Sequence, residues 1–233
     1  SIGACYYLSQ NVKTHSLNNI YLGKNLVNKD VKLNLGLIKK KFSNNNYKVT
    51  SNFNHRDLAS LLMKNEIIAV ARGREEFGAR ALGNRSIIAN PSNFAVVQNI
   101  NESIKNRDFW MPFALTILKE QHKGYIDNKK NFECNYMTMS FDTKKNNFNK
   151  IKAGCHPYDK TVRPQILDKE SNPNYYSIIQ NFFKKTGIPA LLNTSLNLHG
   201  SPVASSLDNV IYTFKRSGLK YLYLNDNFLI KKK

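Results

Sequence analysis

Residues 67–90 read IIAVARGREEFGARALGNRSIIAN. An apolar run, 67–71, enters a polar loop, and a second apolar stretch at 85–90 leaves it. Apolar runs this short, without helical spacing, have the length of buried strands. The loop between them carries Gly73, Gly78 and Gly83 at five-residue spacing, together with Arg72, Arg74, Arg80 and Arg85. Glycine lets backbone approach a ligand closely and take up unusual dihedrals. Crowded guanidinium groups repel one another unless a carboxylate or another anion lies between them. Glu75 and Glu76 could close an internal network. Alternatively the loop clamps a phosphate or carboxylate through bidentate, charge-assisted bonds.

Working outward, helical and strand patterns alternate. Leu58, Leu61 and Leu62 predict a helix over 54–65, and Phe94, Val97, Ile100 and Ile104 predict another over 92–104. Strands are expected at 115–118, 136–141 and 189–192, with two short ones within 219–230. Pro173 opens a helix that Gly187 stops, and 206–216 forms a last one. Upstream, 29–42 has imperfect helical spacing and 11–28 is a polar connection around Ile20–Gly23. Such alternation argues for an α/β, or mixed α+β, fold.

Three further segments carry chemistry. In Lys105-Asn106-Arg107, extended backbone would aim both cations at one face, which suits a polyphosphate. Trp110 follows, a residue more at home in a core or a base-stacking wall. Residues 156–165 place Thr161, Arg163 and Gln165 on one face of a predicted strand. Residues 187–202, GIPALLNTSLNLHGSP, run from an apolar strand into amides and hydroxyls, among them Asn193, Ser195 and Asn197. Open α/β sheets place ligands at such strand ends.

Composition sets the bounds. The 233 residues include 35 Lys+Arg against 16 Asp+Glu, a net charge of +19 that attracts nucleotides, phosphorylated metabolites or nucleic acid. No apolar run is long enough to span a membrane. Cys5, Cys134 and Cys155 are far apart and form no C-x-x-C pair, so reduced cytoplasmic thiols are expected and no metal site. The start, Ser1-Ile2-Gly3-Ala4-Cys5, has neither an initiating Met nor a signal-peptide pattern, and reads as the middle of a longer chain.

Taken in order, the segments resemble the C-terminal, YrdC-like domain of the O-carbamoyltransferase family. The family pattern G-R-x-E-F-G-P-R-A-L-G-N-R-S-I is matched from Gly73 to Ile87 except at Ala79. K-x-R-E-x-[FW]-R-P-F-A-P is matched at Lys105, Arg107, Trp110, Pro112, Phe113 and Ala114. D-G-T-x-R-x-Q is matched at Asp159, Thr161, Arg163 and Gln165, and L-L-N-T-S-F-N-x-x-G-E-P at Leu191–Ser195, Asn197, Gly200 and Pro202. The resemblance covers most of the chain from about residue 50.

The resemblance implies a twisted mixed sheet with flanking helices and a basic concave groove. It makes residues 1–48 the end of a preceding ASKHA-type domain with its linker, and 49–233 the YrdC-like domain. The implied activity is the condensation of carbamoyl phosphate with ATP, carried by Mg²⁺, to carbamoyl adenylate. An acceptor hydroxyl compound would then be O-carbamoylated in a missing N-terminal domain or subunit. Arg80, Lys105, Arg163 and Ser195 are implied as catalytic; Arg74, Arg85, Arg107, Asn193 and Asn197 as substrate- or nucleotide-binding. Met111 stands where the family has Arg, Lys160 where it has Gly, and Ser201 where it has Glu. Arg72 or Lys160 is the candidate to replace the charge missing at Met111. The alternative is a catalytically inactive or RNA-binding YrdC-like module. Aromatics not interleaved with basic residues argue against nucleic acid.

Overall fold

A computed structural model describes residues 2–9, 17, 19–27, 33–108 and 111–233. The elements are α1 (Ile2–Leu8), α2 (Leu35–Lys41), β1 (Tyr47–Thr50), α3 (His55–Met63), β2 (Ile68–Ala71), β3 (Arg85–Ala89) and α4 (Ala95–Ile100). There follow β4 (Ala114–Leu118), α5 (Phe148–Ile151), β5 (Pro164–Leu167), α6 (Pro173–Thr186), β6 (Ala190–Ser195), α7 (Leu207–Arg216), β7 (Tyr221–Leu224) and β8 (Phe228–Lys232). Among the described residues the strands form one mixed sheet of order β1-β8-β7-β2-β3-β6-β4-β5. β2 runs parallel to β7 and β4 to β5, and the remaining pairs are antiparallel.

Both faces of the sheet are covered, which explains the continuous apolar strands. In β2, Ile68 and Val70 enter the core shared with α3 and α6, while Ala69 and Ala71 enter the one shared with α2, α4 and α7. α6 shows how sequence makes such an element. Asn172 caps it by accepting from the Tyr175 amide, Pro173 fits the first turn, and Gly187 ends it at φ +70°. Tyr175, Ile178, Ile179 and Phe182 form its buried stripe. Each fully buried Ile or Phe contributes about 1.5–3 kcal/mol relative to exposure. Ile38 and Phe42 pack into the second core, Phe42 edge-on to Phe214 at 6.2 Å, so the chain before residue 48 joins this core.

Several expectations need correction. No strand forms at 136–141, where Met137 has φ +56° and only Phe141 makes an isolated bridge, to Val162. The helix expected over 92–104 is α4 running into a π turn, Asn101–Lys105. Asn106 then takes the left-handed conformation at φ +44°, so Lys105 and Arg107 do not lie on an extended strand. β6 is longer than expected and takes Asn193, Thr194 and Ser195 into the sheet. The helix expected over 29–42 is seen at Leu35–Lys41, and 29–32 and Trp110 lie outside the described residues.

Candidate active site

The 72–85 loop separates its charges by role. Arg72 is buried and donates to Asp226 Oδ1 at 2.8 Å, Gly83 O at 2.8 Å and Asn84 Oδ1 at 3.2 Å. Burial raises the Asp226 pKa, but the Arg72 charge and bonds from His55 and Arg72 outweigh it and hold the carboxyl at about 2. Arg85 is fully buried and donates to the carbonyls of Arg72, Asn84, Gly73 and Ser205. Arg74 donates to the Gly23 and Leu22 carbonyls. Arg74 and Arg85, expected to bind substrate, are thus engaged by backbone. Nor does Arg72 stand in for the charge absent at Met111.

Glu76 also works within the fold. Its Oε1 accepts from the amides of Leu82 at 2.6 Å, Asn84 at 2.8 Å and Arg85 at 3.3 Å. The alternative in which Glu75 and Glu76 close a network with the arginines therefore gives way to carboxylates on backbone amides. Glu75 accepts from the Lys24 amide. Gly83, at φ +111°, leaves no room for a side chain, since a Cβ would lie 2.2 Å from Tyr175 Cδ1. The turn is pinned against α6, and Arg80 stands clear of it on the exposed part of the loop.

Arg80 meets Arg107 and Arg163 around a recess of ≈ 70 Å³, whose walls include Asn193, Ser195 and Phe113. Burial, then Arg80 and Arg163, lower the Arg107 pKa, and burial, then Arg80, lower that of Arg163. Among the described residues none of the three has a carboxylate partner, although Arg107 lies over the Phe113 ring at 5.5 Å. Two buried polar atoms here, Arg163 Nε and Asn193 Oδ1, have no hydrogen-bond partner among the described residues. Buried polar groups are usually paired. Three cations, an orphaned donor and an orphaned acceptor fit a small anion carrying both acceptors and a donor.

Beside the recess, the π turn delivers Lys105 to the end of β6. Lys105 Nζ donates to Ser195 O at 2.5 Å, Asn197 Oδ1 at 2.7 Å and Ser195 Oγ at 3.1 Å. Ser195 Oγ donates to Asn197 Oδ1 at 2.6 Å, and His199 Nδ1 faces Lys105 O at 2.7 Å. Burial, with the Arg107 charge adding to it, pushes the Lys105 ammonium down to about 7. The K-x-R and S-x-N residues, far apart in sequence, thus meet here. Thr161 instead closes a turn on Asp159, and the exposed Lys160 lies over Phe148 rather than in the recess. Two residues behind the recess were missed in sequence: Thr116, which bonds to Asn193 and Gln165, and Tyr21, which bonds to Gln165. A lone hydroxyl inside the apolar strand Ala114–Leu118 was the available signal for Thr116.

A mixed sheet sandwiched by helices, with a basic recess at the ends of its central strands, is a YrdC-like architecture. Full-length HypF in a phosphate- and nucleotide-bound form aligns over 80% of this chain and 22% of that one, with TM-score 0.53 and 14% identity. The family model for the carbamoyltransferase C-terminus matches residues 59–232, and the chain belongs to that family. It is 38% identical over 221 residues to the MJ1051 protein of Methanocaldococcus jannaschii, covering 93% of this chain and 41% of that protein. It is 26% identical to the 3'-hydroxymethylcephem-O-carbamoyltransferase of Amycolatopsis lactamdurans, covering 75% of this chain and 32% of the enzyme. The chain thus spans less than half the length of these curated relatives. Among the described residues no helix is long and apolar enough to cross a membrane, and no His/Cys/Asp/Glu group could hold a metal ion.

Proposed function

We propose that this chain forms carbamoyl adenylate from carbamoyl phosphate and ATP, for O-carbamoylation of an acceptor hydroxyl in a cytoplasmic enzyme. The observation that carries the proposal is the trio Arg80, Arg107 and Arg163 around a recess with unpaired Arg163 Nε and Asn193 Oδ1. Atom balance divides the reaction in two. Water releases phosphate from carbamoyl phosphate, leaving carbamate. A carbamate oxygen then attacks the ATP α-phosphorus, and pyrophosphate leaves from the opposite side.

Neither step needs covalent chemistry from the protein; positioning and charge stabilisation suffice. Arg80, Lys105 and Arg163 would hold phosphate and carbamoyl oxygens, Asn193 and Ser195 the carbamoyl group, and Arg107 and Asn197 the nucleotide. The recess fits anions, and its lining includes no carboxylate, so Mg²⁺ would enter on the triphosphate. The acceptor would be bound by an ASKHA-type domain or subunit joined through residues 1–48.

The test is exchange of labelled pyrophosphate into ATP. Exchange that requires carbamoyl phosphate is the expected result. Folded protein that binds ATP yet gives no exchange would remove adenylate formation from what this chain does alone.

A further inference from the structure

Asn193 is 1% exposed, and its hydrogen bonds have a fixed polarity. Its Nδ2 donates to Ala81 O and to Thr116 Oγ1, both at 3.1 Å. Ala81 O can only accept, so turning the amide over would set carbonyl against carbonyl. Thr116 has one proton, and it goes to Gln165 Oε1 at 2.9 Å. Gln165 is held the same way round, because its Nε2 faces Leu82 O at 3.4 Å and Tyr21 Oη at 3.5 Å. Tyr21 in turn donates to Leu82 O at 2.8 Å.

Every donor in this relay is taken up by a protein acceptor. Asn193 Oδ1 is left as a buried acceptor with no protein donor among the described residues, in the wall that also holds Arg163. The three arginines offer only donors, and they suit oxygen. An atom with N–H is what the remaining acceptor lacks.

We infer that Asn193 Oδ1 accepts from the amino group of the substrate, and so selects carbamoyl over acyl or carbonate groups of the same shape. Thr116, Gln165 and Tyr21 are positioning residues that fix which way round the Asn193 amide lies and so keep its Oδ1 unspent. The inference rests on the carbamoyl reading of the recess for its substrate, but not on adenylate formation.

Carbamoyl phosphate and acetyl phosphate make the test, since they differ by NH₂ against CH₃. Calorimetric titration of the intact chain should find carbamoyl phosphate bound about tenfold tighter, the size of one hydrogen bond to a group otherwise left unpaired. In Asn193→Ala that ratio should fall to about one, with binding of phosphate itself retained. Because that variant loses two bonds to the fold, Gln165→Leu is the second probe. It frees Thr116 and should lower the ratio without abolishing binding. Equal binding of the two compounds by the wild type, or no binding of either, overturns the inference. Discrimination in binding without pyrophosphate exchange would sustain it while sinking the adenylate proposal.

Discussion

Six arginines of this chain form two sets that look alike in sequence and differ in chemistry. Arg72, Arg74 and Arg85 are committed to backbone carbonyls, Asn84 and Asp226. Arg80, Arg107 and Arg163 crowd around the recess with no carboxylate partner among the described residues, and burial followed by the neighbouring guanidinium charge lowers the pKa of Arg107 and of Arg163. Removing a member of the first set should unfold structure. Removing a member of the second should relieve repulsion and cost only binding or rate. The difference teaches that unmet hydrogen-bonding capacity, rather than crowding of charge in sequence, marks the candidate site.

Arg85→Met should give the largest effect. It keeps bulk but strips donors from four carbonyls, and buried groups left unpaired cost about 1–3 kcal/mol each. Thermal melts should show Tm lowered by roughly 10 °C or more, if about 3–5 kcal/mol is lost. An unchanged Tm would place Arg85 in the wrong set.

Arg163→Ala should lower carbamoyl-phosphate-dependent pyrophosphate exchange on the order of 10²–10³-fold, the usual loss for one preorganised donor. Its Tm should hold or rise, since Arg80 and Arg107 lose a neighbour of like charge. Loss of stability with rate retained would merge the two sets and end the distinction.

The first set also predicts an acid limit. The Asp226 carboxyl sits at about 2 when folded, against 3.8 ordinarily. Its contribution is therefore complete above about pH 4 and is lost as pH falls through 2, roughly 2 kcal/mol in all. Urea titrations across that window should follow this slope in the wild type and flatten in Asp226→Asn. A wild-type slope equal to that of the variant would detach Asp226 from Arg72.

Much of the fold was legible because local signals agreed with packing. Pro173 and Gly187 bound α6 where capping chemistry places its ends. The 136–141 stretch misled because alternation without a partner strand makes no sheet, and Met137 turns the chain there. At the site, the K-x-R and S-x-N residues could be matched, but not how they meet, since Asn106 at φ +44° breaks the assumed extended geometry. The backbone bonds of Arg74 and Arg85 were not legible, because sequence does not reveal which carbonyls a guanidinium will find. The Asn193–Thr116–Gln165–Tyr21 relay crosses β6, β4, β5 and the segment at 19–27, a contact set no local window contains.

Met111 gives the smallest effect and the finest test. It is 45% exposed and precedes Pro112 and Phe113 of the recess wall. Met111→Arg would restore the charge that the family pattern carries at this position. An exposed cation is screened by water and salt, so the gain should be about 1 kcal/mol or less. Titration with pyrophosphate should then show binding only a few-fold tighter than wild type at low salt, with the gain fading as salt rises. A salt-resistant gain of tenfold or more would mean that the arginine trio is incomplete as it stands. A fourth buried contact would then be missing from this chain, and the division into two sets would need a third category for a charge the chain lacks.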